Sequence, residues 1–179
     1  MESLAVEMGG GAHQPSQMEQ LHRHCCYLFH QNSDVYGLIS EFGSRAIRSG
    51  FRIILINDQF SPLEIHASLS RQGLSPDQYQ PGCKIIRADD FYSMGRGYSI
   101  EGVHQRINVI HQQAIADGFC GIYRFSDMDW IINGLSEQLQ QILLYDSILA
   151  IENGHPGMIN FNLYDIHRFD ATLLMDILS

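Results

Sequence analysis

The sequence predicts an α/β fold, a three-layer sandwich around a mainly parallel central sheet of at least five strands. Short apolar runs rich in β-branched residues, such as Ile53-Ile54-Leu55-Ile56, have the length of buried strands. They alternate with longer stretches whose apolar residues recur at helical spacing. Helices of that length between strands imply right-handed crossovers and parallel pairing. With 179 residues and 45% hydrophobic content, the chain is large enough to bury the core of one domain.

Residues 1–20 contain Gly9-Gly10-Gly11, Pro15 and scattered polar residues without periodicity, so they are expected to form a flexible tail, leaving 21–179 as the domain. The first strand is expected at His24–Phe29. A helix follows from about Asp34 to Ser49, capped by Ser33 or Asp34 and stopped by Gly50. After a second strand at Phe51–Asn57, Ser61-Pro62-Leu63-Glu64 supplies a cap, a proline at the first helical position and an acid in the first turn; that helix runs to about Gln72 and ends at Gly73. A third strand is expected at Lys84–Ala88. The stretch Asp89–Tyr98, with Gly95-Arg96-Gly97, reads as a loop, and Ser99-Ile100-Glu101 opens a long helix to Asp117, ended by Gly118. Gly121–Phe125 is the fourth strand. Apolar residues at Leu139, Ile142, Leu143 and Leu149 mark a helix from Leu135 or Ser136 to about Ile151, with Asn153-Gly154-His155-Pro156-Gly157 as its stop. Met158–Leu163 is the fifth strand and Asp170–Leu178 a final helix.

This order of elements suits a nucleotide-binding domain, but the turn after the first strand does not. A phosphate-binding loop there needs glycines for close backbone approach and a lysine for the phosphates. The chain has His30-Gln31-Asn32-Ser33-Asp34 instead. No Gly-x-Ser-x-Gly elbow and no His-Glu-x-x-His motif is present, so no catalytic residue and no cofactor are expected. A net charge of −9 without a Lys/Arg run argues against direct nucleic-acid binding and against an anionic membrane surface. The apolar runs fall far short of the ~20 residues of a membrane span, and no secretory signal is legible at the start. Cys25, Cys26, Cys83 and Cys120 lie in or beside strand-like runs without Cys-x-x-Cys spacing, which points to reduced, buried thiols and a cytoplasmic location.

Several landmarks share one order along the chain: His24-x-Cys26; Ala46-Ile47-Arg48-Ser49-Gly50-Phe51-Arg52; Tyr92 with Gly95-Arg96-Gly97-Tyr98; and Gly118-Phe119-Cys120-Gly121-Ile122-Tyr123-Arg124. They continue with Asp127-Met128-x-Trp130, Tyr145-Asp146 and Tyr164-Asp165-x-x-Arg168-Phe169. This series resembles the MEDS domain, the methanogen/methylotroph sensory domain named for the regulator of dichloromethane metabolism, over about residues 21–178. The resemblance implies a fold related to RecA-like and circadian-clock ATPases without their phosphate loop, and recognition of small organic molecules. It also implies an output domain or regulatory partner, since members occur alone or joined to DNA-binding or kinase-type modules. The chain departs from the usual pattern at Phe29, Asp127 and Asn162.

Ligands of open parallel sheets sit outside the carboxyl ends of the strands. That rule selects Phe29 and His30 after the first strand, Asp58 after the second, Asp89–Tyr92 after the third, Ser126–Trp130 after the fourth and Tyr164 after the fifth, aromatic walls with a few polar groups suited to a small apolar or amphipathic molecule. With the resemblance, the candidate ligand-binding residues are His24, Phe29, Tyr92, Arg96, Arg124, Asp127, Trp130 and Tyr164. The plain alternative is that these residues pack on one another. Arg124 stands in an apolar strand, where a charge needs a partner: a structural carboxylate or a carboxylate of the ligand. Asp127 meets it only if a turn intervenes, because a continuous strand puts the two on opposite faces. His22, His24 and Cys26 share one strand face, with His30 further along, and are candidate metal ligands by type. Residues spaced by two on one strand do not surround an ion tetrahedrally, so no metal is expected.

The leading expectation is a non-catalytic sensor that binds a small organic ligand at the carboxyl edge of its sheet, in signal transduction or transcriptional regulation. A second reading is a protein-interaction or homodimerisation module using the helices at Ser99–Asp117 and Ser136–Ile151. A third is a divergent nucleotide-binding domain reaching phosphate with Arg96 and the Gly95/Gly97 backbone.

Overall fold

A computed structural model describes residues 24–92, 99–133 and 157–169, together with 172, 174 and 175. The expected tail, His22, Gly95-Arg96-Gly97 and the helix expected near 135–151 lie outside the described residues. So does most of the expected final helix, of which residues 172, 174 and 175 are helical.

The chain runs β1 (His24–Phe29), α1 (Asn32–Leu38), a π-helical turn (Ile39–Gly43), α2 (Ser44–Arg48), β2 (Arg52–Ile56), α3 (Pro62–Arg71), α4 (Pro76–Tyr79), β3 (Cys83–Ile86), α5 (Ala88–Tyr92), α6 (Ile100–Ala116), β4 (Ile122–Asp127), a 3-10 turn (Asp129–Asn133) and β5 (Met158–Asp165). The five strands form one sheet in the order β1-β5-β4-β2-β3, and every pairing is parallel. Parallel strands need crossovers, and here these place helices on both faces. One face packs Val35, Ile39, Ala46, Ile65 and Leu69 of α1–α3 and the π turn on Ile53, Leu55, Phe125 and Phe161. The other packs Phe91, Val103, Ile107 and Ala114 of α5 and α6 on Ile54, Ile56 and Ile122. The protein is therefore an α/β three-layer sandwich, as its sequence predicts.

Several local expectations change. The single helix over 34–49 is interrupted by the π turn, where the helix comes very close to the sheet: a Cβ on Gly43 would lie 3.0 Å from Ile53 Cδ1 and 3.4 Å from Leu69 Cδ2. Its first turn is closed by Asp34, whose Oδ2 accepts the backbone N–H groups of His30 and Gln31 at 3.1 Å each. Those hydrogen bonds, His30's first, hold the Asp34 carboxyl below its ordinary pKa. Helix α4 was not expected; Pro76 opens it, and Ser75 N–H donates to Gln78 Oε1 (2.8 Å). Residues 88–92, expected as strand end and loop, form α5, because burying Ala88, Phe91 and Tyr92 together requires a helical turn. Of the cysteines, all free, Cys26 and Cys120 are exposed rather than buried. Cys26 sits on an edge strand and Cys120 in the turn entering β4, both outside the covered centre of the sheet.

Candidate functional site

The two faces of the sheet differ in chemistry. Toward α1–α4, the central strands contribute Ile53, Leu55, Tyr123, Phe125, Ile159, Phe161 and Leu163, all buried. On the face toward α5 and α6, alternation places polar groups: Arg124 and Ser126 from β4 and Asn160 and Asn162 from β5 are buried, whereas on the edge strand β1 His24 is half-buried and Cys26 exposed. Register aligns them in two rows. Asn160 lies between His24 and Arg124, and Asn162 between Cys26 and Ser126. Arg124, Ser126, Asn160 and Asn162 are at most 2% exposed. Asn162 Nδ2 and His24 Nε2 are 3.0 Å apart in a hydrogen bond. Ser126 Oγ and Asn160 Oδ1 are buried without a hydrogen-bond partner among the described residues.

The carboxyl end of this face is aromatic. Tyr92 stacks on Trp130 with ring centroids 4.0 Å apart at 22°, Phe91 meets Tyr92 edge-on at 4.9 Å, and Tyr164 meets Phe169 edge-on at 5.3 Å. These rings belong to one buried cluster with Met128 and Ile131. The 3-10 turn after β4 brings Trp130 there, since Asp127 Oδ1 accepts the Asp129 N–H at 3.1 Å and turns the chain back at the strand end.

An acidic rim borders these aromatics. Asp127 Oδ1 also accepts from Gln59 Nε2 (3.1 Å), and Asp129 forms an ion pair with Arg168. Burial pushes the Asp127 carboxyl up to about 6, with the Asp129 charge adding to the rise and hydrogen bonds to the Asp129 N–H and Gln59 opposing it. Burial raises Asp129 as well, against the pull of Arg168. Asp58 accepts from Arg87 Nε (3.4 Å) and Asp89 N–H (3.3 Å) at the end of β2.

Among the sequence candidates, the structure gathers His24 and Arg124 on one sheet face, with Tyr92, Trp130 and Tyr164 in the aromatic cluster of that face. Phe29 lies on the other face, packed edge-on against Phe60 at 5.8 Å. Asp127 sits at the strand end, where β4 runs on far enough to leave Arg124 and Asp127 on opposite faces. Arg96 and His22 are outside the described residues. Among the described residues no group of three or more His, Cys, Asp or Glu side chains is arranged to hold a metal ion. His30 lies beyond β1, its ring 5.9 Å from that of His167.

Sequence reasoning reached Ser126 only as the start of the segment after the fourth strand, and it did not single out Asn160, Gln59 or Arg168 as functional candidates. The polar-every-second-residue pattern Asn160-x-Asn162 and Arg124-x-Ser126 was the available signal.

The fold is a parallel α/β sandwich with an aromatic carboxyl edge, and the turn after β1, His30-Gln31-Asn32-Ser33-Asp34, carries neither the glycines nor the lysine of a phosphate-binding loop. The family model of the MEDS domain, the methanogen/methylotroph, DcmR sensory domain, matches residues 23–179, and the chain belongs to that family. No curated protein matches it. Among the described residues no helix is long and apolar enough to cross a membrane.

Proposed function

We propose that this domain is a non-catalytic sensor that binds a small organic molecule at the carboxyl edge of its sheet and signals occupancy to an output domain or regulatory partner. Membership of a sensory-domain family supports the class. The observation that carries the location is the buried Tyr92–Trp130 stack, set beside Tyr164 at the end of a sheet face that also presents polar side chains. Aromatic walls with a few convergent polar groups suit small organic ligands. Binding would favour one arrangement of the strand-end segments and so shift a population. The test follows Trp130 emission and the thermal midpoint across a panel of small organic molecules, in wild type and in Tyr92→Leu and Tyr164→Leu. Ligand-dependent shifts that these substitutions weaken support the reading. Folded variants that bind and signal as the wild type does would remove the pocket from this edge.

A second reading, an interaction or homodimerisation module, has an observation of its own. A cavity of about 420 Å³ opens between α5, α6 and the edge of β3, lined by Ile86, Phe91, Arg106 and Ile110, with Val109 65% exposed at its border. Size measurement of wild type against Val109→Asp decides between self-association through this face and a free surface.

A further inference from the structure

We infer that the cavity between α5, α6 and the edge of β3 is a second binding site, separate from the strand-end aromatics, which takes a monocarboxylate with a hydrocarbon body and holds it by Arg106. Helix α6 presents two faces. Val103, Ile107 and Ala114 pack on the sheet. Gly102, Arg106, Val109 and Ile110, spaced by three or four residues, share a stripe that lines the cavity of about 420 Å³. That volume suits a small organic molecule. Phe91 forms a buried wall, Ile86 and Ile110 are only partly buried against the core, and Val109 is exposed. Apolar surface therefore faces the cavity without being covered.

One cation in this wall is unanswered. Arg106 forms no ion pair and no hydrogen bond among the described residues, and its Nε is buried. A buried N–H on a charged group is costly to leave without an acceptor. The fork leans back along α6 over Gly102, where a Cβ would lie 3.5 Å from Nη2 and 3.6 Å from Nη1 of Arg106. The absent side chain leaves the guanidinium room at the cavity. Nε and one Nη of a guanidinium donate in parallel to the two oxygens of a carboxylate, which is acceptor-only and carries the matching charge. Such a group completes the orphaned N–H. Asp90, exposed, lines the same cavity and repels a second negative charge, which favours a monoanion over a phosphate or a dicarboxylate. The hydrocarbon then lies against Ile86, Phe91, Val109 and Ile110.

The full chain is titrated calorimetrically with hexanoate and benzoate, with hexanamide, benzamide, acetate and sodium chloride as controls. The two acids should bind saturably. The amides lack the charge and acetate lacks the hydrocarbon, so no control should match them. Arg106→Gln should weaken the affinity about tenfold or more, as expected for hydrogen bonds to a charged group. Val109→Asp, which sets a carboxylate at the border, should abolish binding, and Asp90→Asn should tighten it. These positions are exposed or half-buried, and circular dichroism checks that each variant keeps its fold. Equal binding of acid and amide, or acid binding that Arg106→Gln leaves unchanged, overturns the assignment. Tyr164→Leu separates this site from the strand-end reading. Acid binding kept in Tyr164→Leu and weakened in Arg106→Gln supports the groove even where the strand-end ligand fails, and the reverse pattern puts the acid at the strand ends and overturns the groove. No acid binding overturns it as well: a thermal midpoint that then rises with protein concentration assigns the groove to a second copy of the chain, and a flat one leaves Arg106 to solvent.

Discussion

Asp127 holds a carboxyl where burial opposes its charge, and its titration gives a direct test of the strand-end geometry. Its folded pKa, about 6, lies above the ordinary 3.8, so between these values the folded state binds more protons than the unfolded one. Stability contributed by this group is therefore full below about pH 4 and falls as pH rises toward 6. Asp127→Asn keeps an oxygen to accept from Gln59 and Asp129 and removes the charge. The variant should be more stable than wild type at pH 7, by up to ~3 kcal/mol, and the gap should close near pH 4 in chemical denaturation at the two pH values. An unchanged gap would place the carboxylate in contact with solvent. Trp130, 7% exposed and stacked on Tyr92, tests the aromatic end. Trp130→Ala should cost ~3–5 kcal/mol, whereas Trp130→Phe, which preserves a ring against Tyr92, should cost markedly less.

The strand entrances depend on close backbone approach, and here one methyl group decides. A Cβ on Gly121 would lie 1.9 Å from the Gly157 carbonyl oxygen and 2.7 Å from its carbon, both backbone atoms that cannot rotate aside. The same junction carries the Ile122 N–H to Gly157 O bond (2.9 Å) that starts the β4–β5 pairing. Gly121→Ala should therefore cost ~3 kcal/mol or more, at the upper end of overpacking effects, and lower the thermal midpoint far more than Gly73→Ala, where no atom lies within 4 Å of the added carbon and only the positive φ of 78° is strained. Legibility in sequence follows the same physics. All five described strands are legible as short runs between helices, β2 most plainly because Ile53-Ile54-Leu55-Ile56, covered on both faces, is apolar along its length. Helix α5 is not, since its signal is three buried residues in five rather than a sustained period. The polar rows were harder still: Asn160-x-Asn162 has the alternation that ordinarily marks a solvated face. Only the strand order, with β5 between β1 and β4, turns that face inward. Trp130, Tyr92 and Tyr164 were accessible as strand-end aromatics, whereas the opposing orientation of Phe29 depended on which face each helix covers.

For the molecule as a whole, ligand sensing and self-association predict different concentration dependences of the same melting curve. A ligand that binds only the folded state adds about 2.7 kcal/mol at a hundred times its Kd. For a chain of this size a kilocalorie moves the midpoint by roughly 2–4 °C, so a saturating ligand should raise it by about 5–10 °C at any protein concentration. An interface on the α5–α6 groove behaves otherwise. Its midpoint rises with protein concentration, and Val109→Asp removes that rise. Val109 is 65% exposed, so the substitution should change the stability of an isolated domain by no more than ~0.5 kcal/mol. Differential scanning calorimetry across a hundredfold range of protein concentration, on wild type and Val109→Asp, therefore separates the readings. A midpoint that responds to ligand and ignores both dilution and Val109→Asp assigns the signal to the strand ends. A midpoint that falls on dilution only in the wild type assigns it to the helical face, and the aromatic cluster then serves as core.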